Sequence, residues 1–486
     1  MSEQSLKQKT VQGVIWSSID RFSVQLIQLV IGIVIARILS PSDYGMVAML
    51  IFFMAISSLL VDSGFSNALI QKKDPTEADF STAFYCNVAI AFICYILLFA
   101  LAPLIASFYK TEALSPILRV YAISLIFNSL CLVGNVKLIR EFDFKKKTII
   151  NMASVMGSGC IGLGMAIGGC GVWALVVQYV AASAITWLSL LIFVRWKPLF
   201  LFSKASFNHL FKFGSKLLGG SFLNTVTGNL YTLLLGRFFP SDQVGYYTRG
   251  LQVPNVLANT LTSVTQSVSY PVFSNLQGEK EQLVAAHRRF VRFTGFFIIP
   301  SMLILMIVSG PFVRYFLTEK WEPSIVLMQW ICLARIFTPF GFLNQNVLNA
   351  IGRPDLSLKI DLLKLPLSFI ALIVTIPMGI KVVIVGHFVL SVISFFINAY
   401  FPGKILGYGS FKQLKDLFSI FVCSVITGIV LIVLFHFIHS DLLKIILSIL
   451  VGGGVYYLLA YLSKFEEIKE LNFMLDNLKK RFVHKN

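Results

Sequence analysis

The sequence has few charged residues, and acidic residues are the scarcer kind. Only 13% of its 486 residues are charged and 56% are hydrophobic, whereas roughly a quarter of residues are charged in typical soluble domains. A soluble fold could not bury this much apolar surface. The net charge of +18 therefore does not indicate nucleic-acid binding, as it would in a soluble chain. The composition predicts an integral membrane protein.

Features typical of secreted, metal-binding or catalytic proteins are also missing. The seven cysteines form no Cys-x-x-Cys pair and show no metal-ligand spacing. The first apolar run is interrupted by Asp20 and Arg21 and lacks a small-residue cleavage pattern, so we expect it to remain as a span. The predicted outward loops are short and hold few carboxylates or histidines, which argues against a membrane polymerase or ligase. We expect no catalytic residue, no metal and no cofactor.

Hydrophobic stretches of membrane-spanning length run through the whole chain. A helix of about 20 apolar residues crosses the hydrocarbon core and satisfies its own backbone hydrogen bonds there. The sequence therefore predicts an all-α polytopic membrane protein with about 14 transmembrane helices. The stretch at 243–275 is polar, and we expect it to face water. The predicted spans are 11–38, 43–70, 80–108, 116–138, 148–168, 171–194, 215–238, 243–275, 293–317, 324–350, 358–378, 381–402, 417–438 and 441–462.

Two parts of the chain repeat each other. The segment Arg37–Gly45 reads RILSPSDYG and Arg237–Gly245 reads RFFPSDQVG, with Arg and Gly at the same separation in both. Phe65–Asn67 recurs as Phe273–Asn275. Pro, Ser and Asp are also common at helix starts, which is the simpler explanation of the first match. The ordered series of matches favours a duplication.

The duplication predicts two pseudo-symmetric six-helix lobes of the same orientation. Such parallel repeats are related by an axis along the membrane normal, and they form a binding site near the midplane at their interface. Lys and Arg are concentrated in the two tails and the even-numbered loops, which predicts that both termini are cytoplasmic. The predicted domains are a first lobe at 1–200, a second lobe at 201–405, two further helices at 406–463 and a cytoplasmic amphipathic tail at 464–486.

Ionisable groups inside the predicted spans are candidates for a transport pathway, because each costs about 2.5 kcal/mol or more in lipid. Cations outnumber anions among them. A guanidinium binds phosphate through two parallel charge-assisted hydrogen bonds, so this excess predicts an anionic substrate. The same residues could instead form structural pairs between helices. The candidates for a cationic cavity are Arg21, Arg249, Arg335, Lys216 and Lys364, whereas Arg119 is expected to extend its head group to the membrane surface.

Polar and acidic residues complete the predicted cavity. Four polar side chains could bond sugar hydroxyls or, equally, could bond between helices; they are Ser18, Gln25, Asn224 and Asn229. The acidic residues within the spans are Asp20, Asp62 and Asp361. Asp20 and Arg21 lie at a depth in the first span that is comparable to that of Asp62 in the second. The positions therefore predict an ion pair between Arg21 and Asp62.

A set of short strings along the chain points to a family. In order they are RILSPSDYG, DSGFSNALIQKKDPTEADFSTAFY, LAPLIASFYK, GVWALVVQ, YPVFSNLQGEKEQL and NAIGRPDLSLK. Together they resemble the polysaccharide-type lipid-linked oligosaccharide flippases of the multidrug/oligosaccharidyl-lipid/polysaccharide (MOP) exporter superfamily. The resemblance implies two six-helix lobes around a cationic cavity that opens to one side at a time. It also implies movement of undecaprenyl-diphosphate-linked oligosaccharide from the cytoplasmic to the outer leaflet, for assembly of O-antigen, capsule or exopolysaccharide.

The resemblance implies a setting as well. The protein would lie in the bacterial cytoplasmic membrane and work with a polysaccharide polymerase and glycosyltransferases. Transport would be coupled to entry of protons or sodium, for which Asp20, Asp62 and Asp361 are the available carboxylates. Two other members of the superfamily are alternatives. A multidrug exporter of cationic drugs would be expected to have an acidic cavity, whereas a flippase of the peptidoglycan lipid precursor fits the charge equally well.

Overall fold

Helices make up the part of the chain that the structure describes, residues 3–469 of a computed structural model. The earlier helices are α1 (Glu3–Ile38), α2 (Pro41–Asp62), α3 (Phe65–Gln71), α4 (Glu77–Phe108), α5 (Leu114–Tyr121), α6 (Ile123–Arg140), α7 (Phe144–Ile167), α8 (Val172–Val194) and α9 (Lys204–Phe238). The later helices are α10 (Ser241–Asn275), α11 (Lys280–Phe312), α12 (Ser324–Arg335), α13 (Thr338–Ala350), α14 (Pro354–Thr375), α15 (Ile380–Leu406), α16 (Ser410–His436) and α17 (Asp441–Leu462). No strand occurs between residues 3 and 469, and the all-α class is confirmed.

Many of these helices can cross a membrane. Within the described residues, 11 helical stretches are long and apolar enough, several of them formed by two successive helices. The protein is therefore a multi-pass membrane protein. The predicted count of 14 includes three more helices, α1, α9 and α10, which are less apolar. In α1 only Phe22–Ile38 is apolar, and α10 carries a series of Thr, Ser, Asn and Gln residues. The count of 14 stays a prediction.

Three predicted spans are interrupted. The span at 43–70 breaks at Ser63 and Gly64, whose φ angles of 44° and 72° end α2 and start α3. The span at 116–138 contains the junction of α5 and α6. The span at 324–350 breaks between α12 and α13, where Pro339 occupies the first turn of α13. As a result, Asp62 and Arg335 are the last residues of their helices.

The helices form two compact units, one ending at Gly245 and the other beginning at Tyr246. In the first unit, α7 packs against α1 and α8, α6 packs against α4 and α8, and α9 packs against α2. In the second unit, α11 packs against α12, α16 and α17, and α15 packs against α12 and α14. The predicted second lobe began at residue 201 and so included α9, which packs in the first unit. The predicted lobe and tail boundaries stay a prediction.

The two copies of the repeated motif touch each other within the first unit. A Cβ atom on Gly45 would lie 1.6 Å from the carbonyl oxygen of Ser241, and one on Gly245 would lie 1.9 Å from the carbonyl oxygen of Pro41. The hydroxyl oxygens of Ser42 and Ser241 are 2.6 Å apart. These contacts are reciprocal, because each glycine meets the first residue of the helix that contains the other glycine. Only glycine allows the starts of α2 and α10 to come this close.

Polar contacts fix the start of α4. Asp79 is fully buried, accepts hydrogen bonds from the backbone and hydroxyl of Thr76, and lies 2.7 Å from Nζ of Lys72. Thr76 and Asp79 thus form a capping box with a buried ion pair. Nearby, the guanidinium of Arg140 donates to the carbonyl oxygens at the end of α3 and just beyond it, those of Leu69, Ile70, Lys72 and Lys73. The string QKKDPTEAD therefore has a structural role.

Two residues that follow that string on α4 hold the connector between α8 and α9. The hydroxyls of Ser81 and Thr82 accept hydrogen bonds from the backbone N–H groups of Leu199, at 2.9 Å, and Ser203, at 3.1 Å. At the other end of the chain, Glu467 is buried and lies 2.6 Å from Arg292 of α11. The predicted amphipathic tail at 464–486 lies outside the described residues beyond position 469.

Candidate functional site

Asp20 of α1 is held by a neighbouring helix. The side-chain amide nitrogen of Asn151, on α7, donates to both carboxylate oxygens at 3.1 Å. Sequence reasoning missed Asn151, because its spacing from Asp20 along the chain gives no sign that α1 and α7 pack together.

Asp62 lies in the wall of a cavity within the first unit. The hydroxyl of Ser66 donates to one of its carboxylate oxygens. The cavity has a volume of about 280 Å³ and is formed by α2, α3, α6 and α8. Asn128 and Asn135 of α6 also line it. These two amides were not among the predicted site residues, although their separation of seven places them on one face of a helix.

The remaining first-unit candidates whose side chains the structure describes do not line this cavity. Gln25 and Asn224 are exposed. The amide of Asn229 donates to the carbonyl oxygen of Thr225, one turn earlier in α9, at 2.9 Å. The side chains of Ser18, Arg21 and Lys216 lie outside the part of the chain that the structure describes. The ion pair between Arg21 and Asp62 therefore stays a prediction.

Arg335 is the cation of the second unit that retains an unused donor. It ends α12, at the break before α13, and interacts electrostatically with Tyr247 and His387. Its Nε atom is buried and makes no hydrogen bond within residues 3–469. A buried donor without an acceptor normally costs about 1–3 kcal/mol. This guanidinium is therefore suited to an anionic ligand that would supply the missing acceptor.

Arg249 has partners of its own. Its guanidinium donates to the amide oxygen of Gln252 and lies 5.8 Å from the centre of the Trp321 ring. Trp321 is fully buried and meets Tyr246 edge to face at 6.2 Å. An arginine over an aromatic ring gains a cation–π attraction. These contacts orient Arg249 in the second unit.

Lys364 and Asp361 belong to one polar network. Their Nζ and carboxylate oxygen are 2.8 Å apart, one turn apart on α14. Asp361 also accepts from Nε2 of Gln345 on α13 at 2.8 Å, and Lys364 lies 3.3 Å from the amide oxygen of Asn398 on α15. The sequence had given these two residues separate roles, in anion binding and in ion coupling. Their pairing links α13, α14 and α15.

The fold is that of a known class of transporters. The chain is similar to a solved structure described as lipid II flippase MurJ in an inward closed conformation, with a TM-score of 0.77 and 15% identity, over 94% of this chain and 100% of that one. At this identity the likeness concerns the fold alone. It identifies an all-α, polytopic transporter architecture, as the sequence predicted.

Sequence comparison identifies the family. The family model described as polysaccharide biosynthesis protein matches residues 34–326. The chain belongs to this family, and the resemblance to polysaccharide flippases of the MOP superfamily is confirmed. Among its relatives is the lipopolysaccharide biosynthesis protein WzxC of Escherichia coli (strain K12), 26% identical over 76% of each chain. Another is the succinoglycan biosynthesis transport protein ExoT of Rhizobium meliloti (strain 1021), 23% identical over 68% of this chain and 67% of that protein.

Proposed function

We propose that this protein is a flippase for undecaprenyl-diphosphate-linked oligosaccharides. It would move each unit from the cytoplasmic to the outer leaflet of a bacterial cytoplasmic membrane, for assembly into O-antigen, capsule or exopolysaccharide. Membership of the polysaccharide biosynthesis family supports the pathway. The description of ExoT as a transport protein and of MurJ as a lipid II flippase supports transport of lipid-linked cargo by this kind of chain.

The observation that carries the proposal is the buried, unbonded Nε of Arg335. It lies at a helix break inside a stretch that is long and apolar enough to span a membrane. A charge kept at such a place normally faces a cavity or a ligand. The diphosphate of the cargo has the charge and the acceptor oxygens that a guanidinium binds best.

The remaining groups fit a transport cycle. We propose that Arg21, Arg249, Lys216 and Lys364 add positive charge near the diphosphate, that Ser18, Gln25, Asn224 and Asn229 contact the glycan, and that the polyprenyl tail stays in lipid.

Two lobes, 1–200 and 201–405, would alternate in access to the two sides, with both chain termini in the cytoplasm. Entry of protons or sodium through Asp20, Asp62 or Asp361 would drive the cycle. No bond of the cargo changes, so the protein would act as a transporter and not as an enzyme. A polymerase and glycosyltransferases would be its partners.

A flipping assay tests this function directly. Purified protein is placed in liposomes with a fluorescent undecaprenyl-diphosphate oligosaccharide, and a membrane-impermeant quencher reports how much lipid faces outward. We expect protein-dependent flipping that becomes faster with a proton or a sodium gradient. Liposomes containing the Arg335→Ala variant and liposomes without protein are the controls.

The possible outcomes separate the candidate functions. Flipping of the oligosaccharide lipid by the wild type, with loss in Arg335→Ala, supports the proposal. Absence of flipping by folded protein contradicts it. The same liposomes then test the peptidoglycan lipid precursor and cationic drugs, which are the cargoes of the two related transporter classes.

A further inference from the structure

The cavity beside Asp62 has an unusually polar wall for its position among spanning helices. Its volume is about 280 Å³, and residues of α2, α3, α6 and α8 form its wall. Ser58 and Asp62 are four residues apart on α2, so they share one face of the helix. The polar side chains of the wall include Ser58, Asp62, Ser66, Asn128, Asn135 and Thr186.

Much of the hydrogen-bonding capacity of this wall is unused. The carboxylate of Asp62 accepts from Ser66 and keeps further acceptor sites. The side-chain amide of Asn135 bonds to no other residue between positions 3 and 469, and that of Asn128 is exposed. Each amide offers two donors and an acceptor oxygen. Polar groups in spanning helices are costly unless they meet a partner, so this set fits a polar ligand.

The size and the charge of the cavity limit which ligands could bind in it. A volume of about 280 Å³ corresponds to roughly nine water molecules. A single bare cation, with its oxygen ligands at about 2.3–2.6 Å, would fill only part of this volume. A diphosphate would be repelled by Asp62, and no Lys or Arg belongs to the described lining. A neutral sugar ring fits both criteria, because its hydroxyls can donate to a carboxylate and exchange hydrogen bonds with amides.

We propose that this cavity holds one sugar unit of the lipid-linked glycan and that Asp62 is a specificity-determining residue that accepts hydrogen bonds from its hydroxyls. The inference rests on the proposed flippase function and adds a place for the glycan that is separate from the diphosphate cation Arg335. Asn128 and Asn135 supply donors to the same sugar. This assignment leaves Asp20 and Asp361 as the carboxylates for ion coupling.

Binding of two lipids to purified protein tests the proposal. One lipid is the native glycan on undecaprenyl diphosphate, and the other is undecaprenyl diphosphate without glycan. Asp62→Asn keeps the shape of the side chain and removes its charge. We expect this variant to bind the glycosylated lipid about ten-fold more weakly, the effect of one hydrogen bond to a charged group, and to bind the bare lipid like the wild type. Asn135→Ala is expected to act in the same direction, whereas Asn67→Ala, at an exposed position outside the lining, is the matched control.

The result that overturns the proposal is glycan binding by Asp62→Asn and Asn135→Ala that equals wild-type binding. Equal weakening for both lipids by the folded variants also overturns it, because it would assign the residues to general structure. Failure of the wild type to bind either lipid would instead contradict the flippase function. Full recovery of Asp62→Arg by a second change, Arg21→Asp, would show an ion pair in place of a sugar contact.

A labelling experiment locates the sugar independently of affinity. Asn128→Cys places a thiol at an exposed position in the wall of the cavity, in a protein whose exposed natural cysteines, Cys160 and Cys170, and whose wall cysteine, Cys131, are replaced by Ser. We expect the glycosylated lipid to slow the reaction of this thiol with a small water-soluble reagent several-fold, and the bare lipid to have no such effect. Equal protection by both lipids, or protection by neither, would contradict the placement of the sugar.

Discussion

Asp62 in the first unit and Asp361 in the second lie in the same kind of environment but have different partners. Both belong to helical stretches that can span a membrane. Asp361 is bound by a cation, Lys364, and by an amide, Gln345. The partner described for Asp62 is a neutral hydroxyl, that of Ser66, and Asp62 lines a cavity together with Asn128 and Asn135. The cation with an unused donor, Arg335, is in the second unit.

This difference between Asp62 and Asp361 separates charged residues with a structural role from charged residues that are available to a ligand. A carboxylate with a lysine partner satisfies its charge within the fold and locks neighbouring helices. A carboxylate with neutral partners, or a guanidinium with a free donor, leaves that interaction to a ligand. The first unit thus offers acceptors suited to sugar hydroxyls, and the second offers a donor suited to phosphate.

The largest expected effect is on folding. It is tested by comparing Gly45 and Gly245 of the first unit with Gly453 of the second. Gly45→Ala and Gly245→Ala each place a Cβ within 2 Å of a backbone carbonyl oxygen, at 1.6 and 1.9 Å. Overpacking costs about 1–3 kcal/mol when side chains can move, and here the backbone itself must shift. We expect little folded protein, measured by size-exclusion profile and thermal unfolding in detergent. Gly453→Ala on α17 meets nothing within 4 Å and is the control. Normal folding of all three variants would show that the helix starts separate easily.

The next effect compares an ion pair of the first unit whose carboxylate is buried with an exposed ion pair of the second. Asp79 is fully buried beside Lys72, whereas Asp355 and its partner Arg353 are both about half exposed. Asp79→Ala leaves a lysine and the capping-box donors of Thr76 without an acceptor. We expect the free energy of unfolding to fall by about 3 kcal/mol, and Asp355→Ala to change it little because solvent screens the exposed pair. Denaturant or thermal unfolding measures both. Equal losses of unfolding free energy in Asp79→Ala and Asp355→Ala would contradict this distinction between the two ion pairs.

The sequence was sufficient to predict the 11 helical stretches of the described residues that are long and apolar enough to span a membrane, because apolar length is a local property. It did not predict the breaks. Ser63 adopts a left-handed conformation that β-branched or bulky residues avoid but that no single residue type signals, and the break after Arg335 depends on Pro339 four positions later. Helix ends inside a span are set by packing against neighbouring helices, which the linear pattern does not contain.

The candidate site was predictable only in part. Asp62 and Arg335 stood out as charges in apolar stretches, and the structure gives each a distinctive setting. Asn128 and Asn135 escaped notice because a neutral amide is less costly in a span and so a weaker signal. Asn224 is exposed, as is Asn128, and its predicted contact with the glycan stays a prediction. The pairing of Asp361 with Lys364 follows from their separation of three on one helix and could have been predicted.

A smaller effect is expected at the cation of the second unit. Arg335→Ala removes the guanidinium, so we expect flipping of the oligosaccharide lipid to fall about ten-fold, which is about 1.4 kcal/mol. Arg335→Lys keeps the charge without the planar fork and should give an intermediate rate. Membrane abundance should remain normal for both. Arg353→Ala, which removes an exposed cation already paired with Asp355, is the control. Wild-type rates in both Arg335 variants would assign this cation to structure.

The smallest effect tests whether the network of Asp361 and Lys364 is structural. Either single change, Asp361→Lys or Lys364→Asp, places like charges one turn apart on α14, and we expect thermal stability and flipping to fall modestly. The double exchange restores an ion pair of reversed polarity, so it should recover most of the stability, within about 1 kcal/mol of the wild type. Recovery of stability without recovery of flipping would show that the carboxylate itself takes part in transport. Asp361 would then resemble Asp62, and the contrast between the two units would hold for the partners of these carboxylates but not for their function.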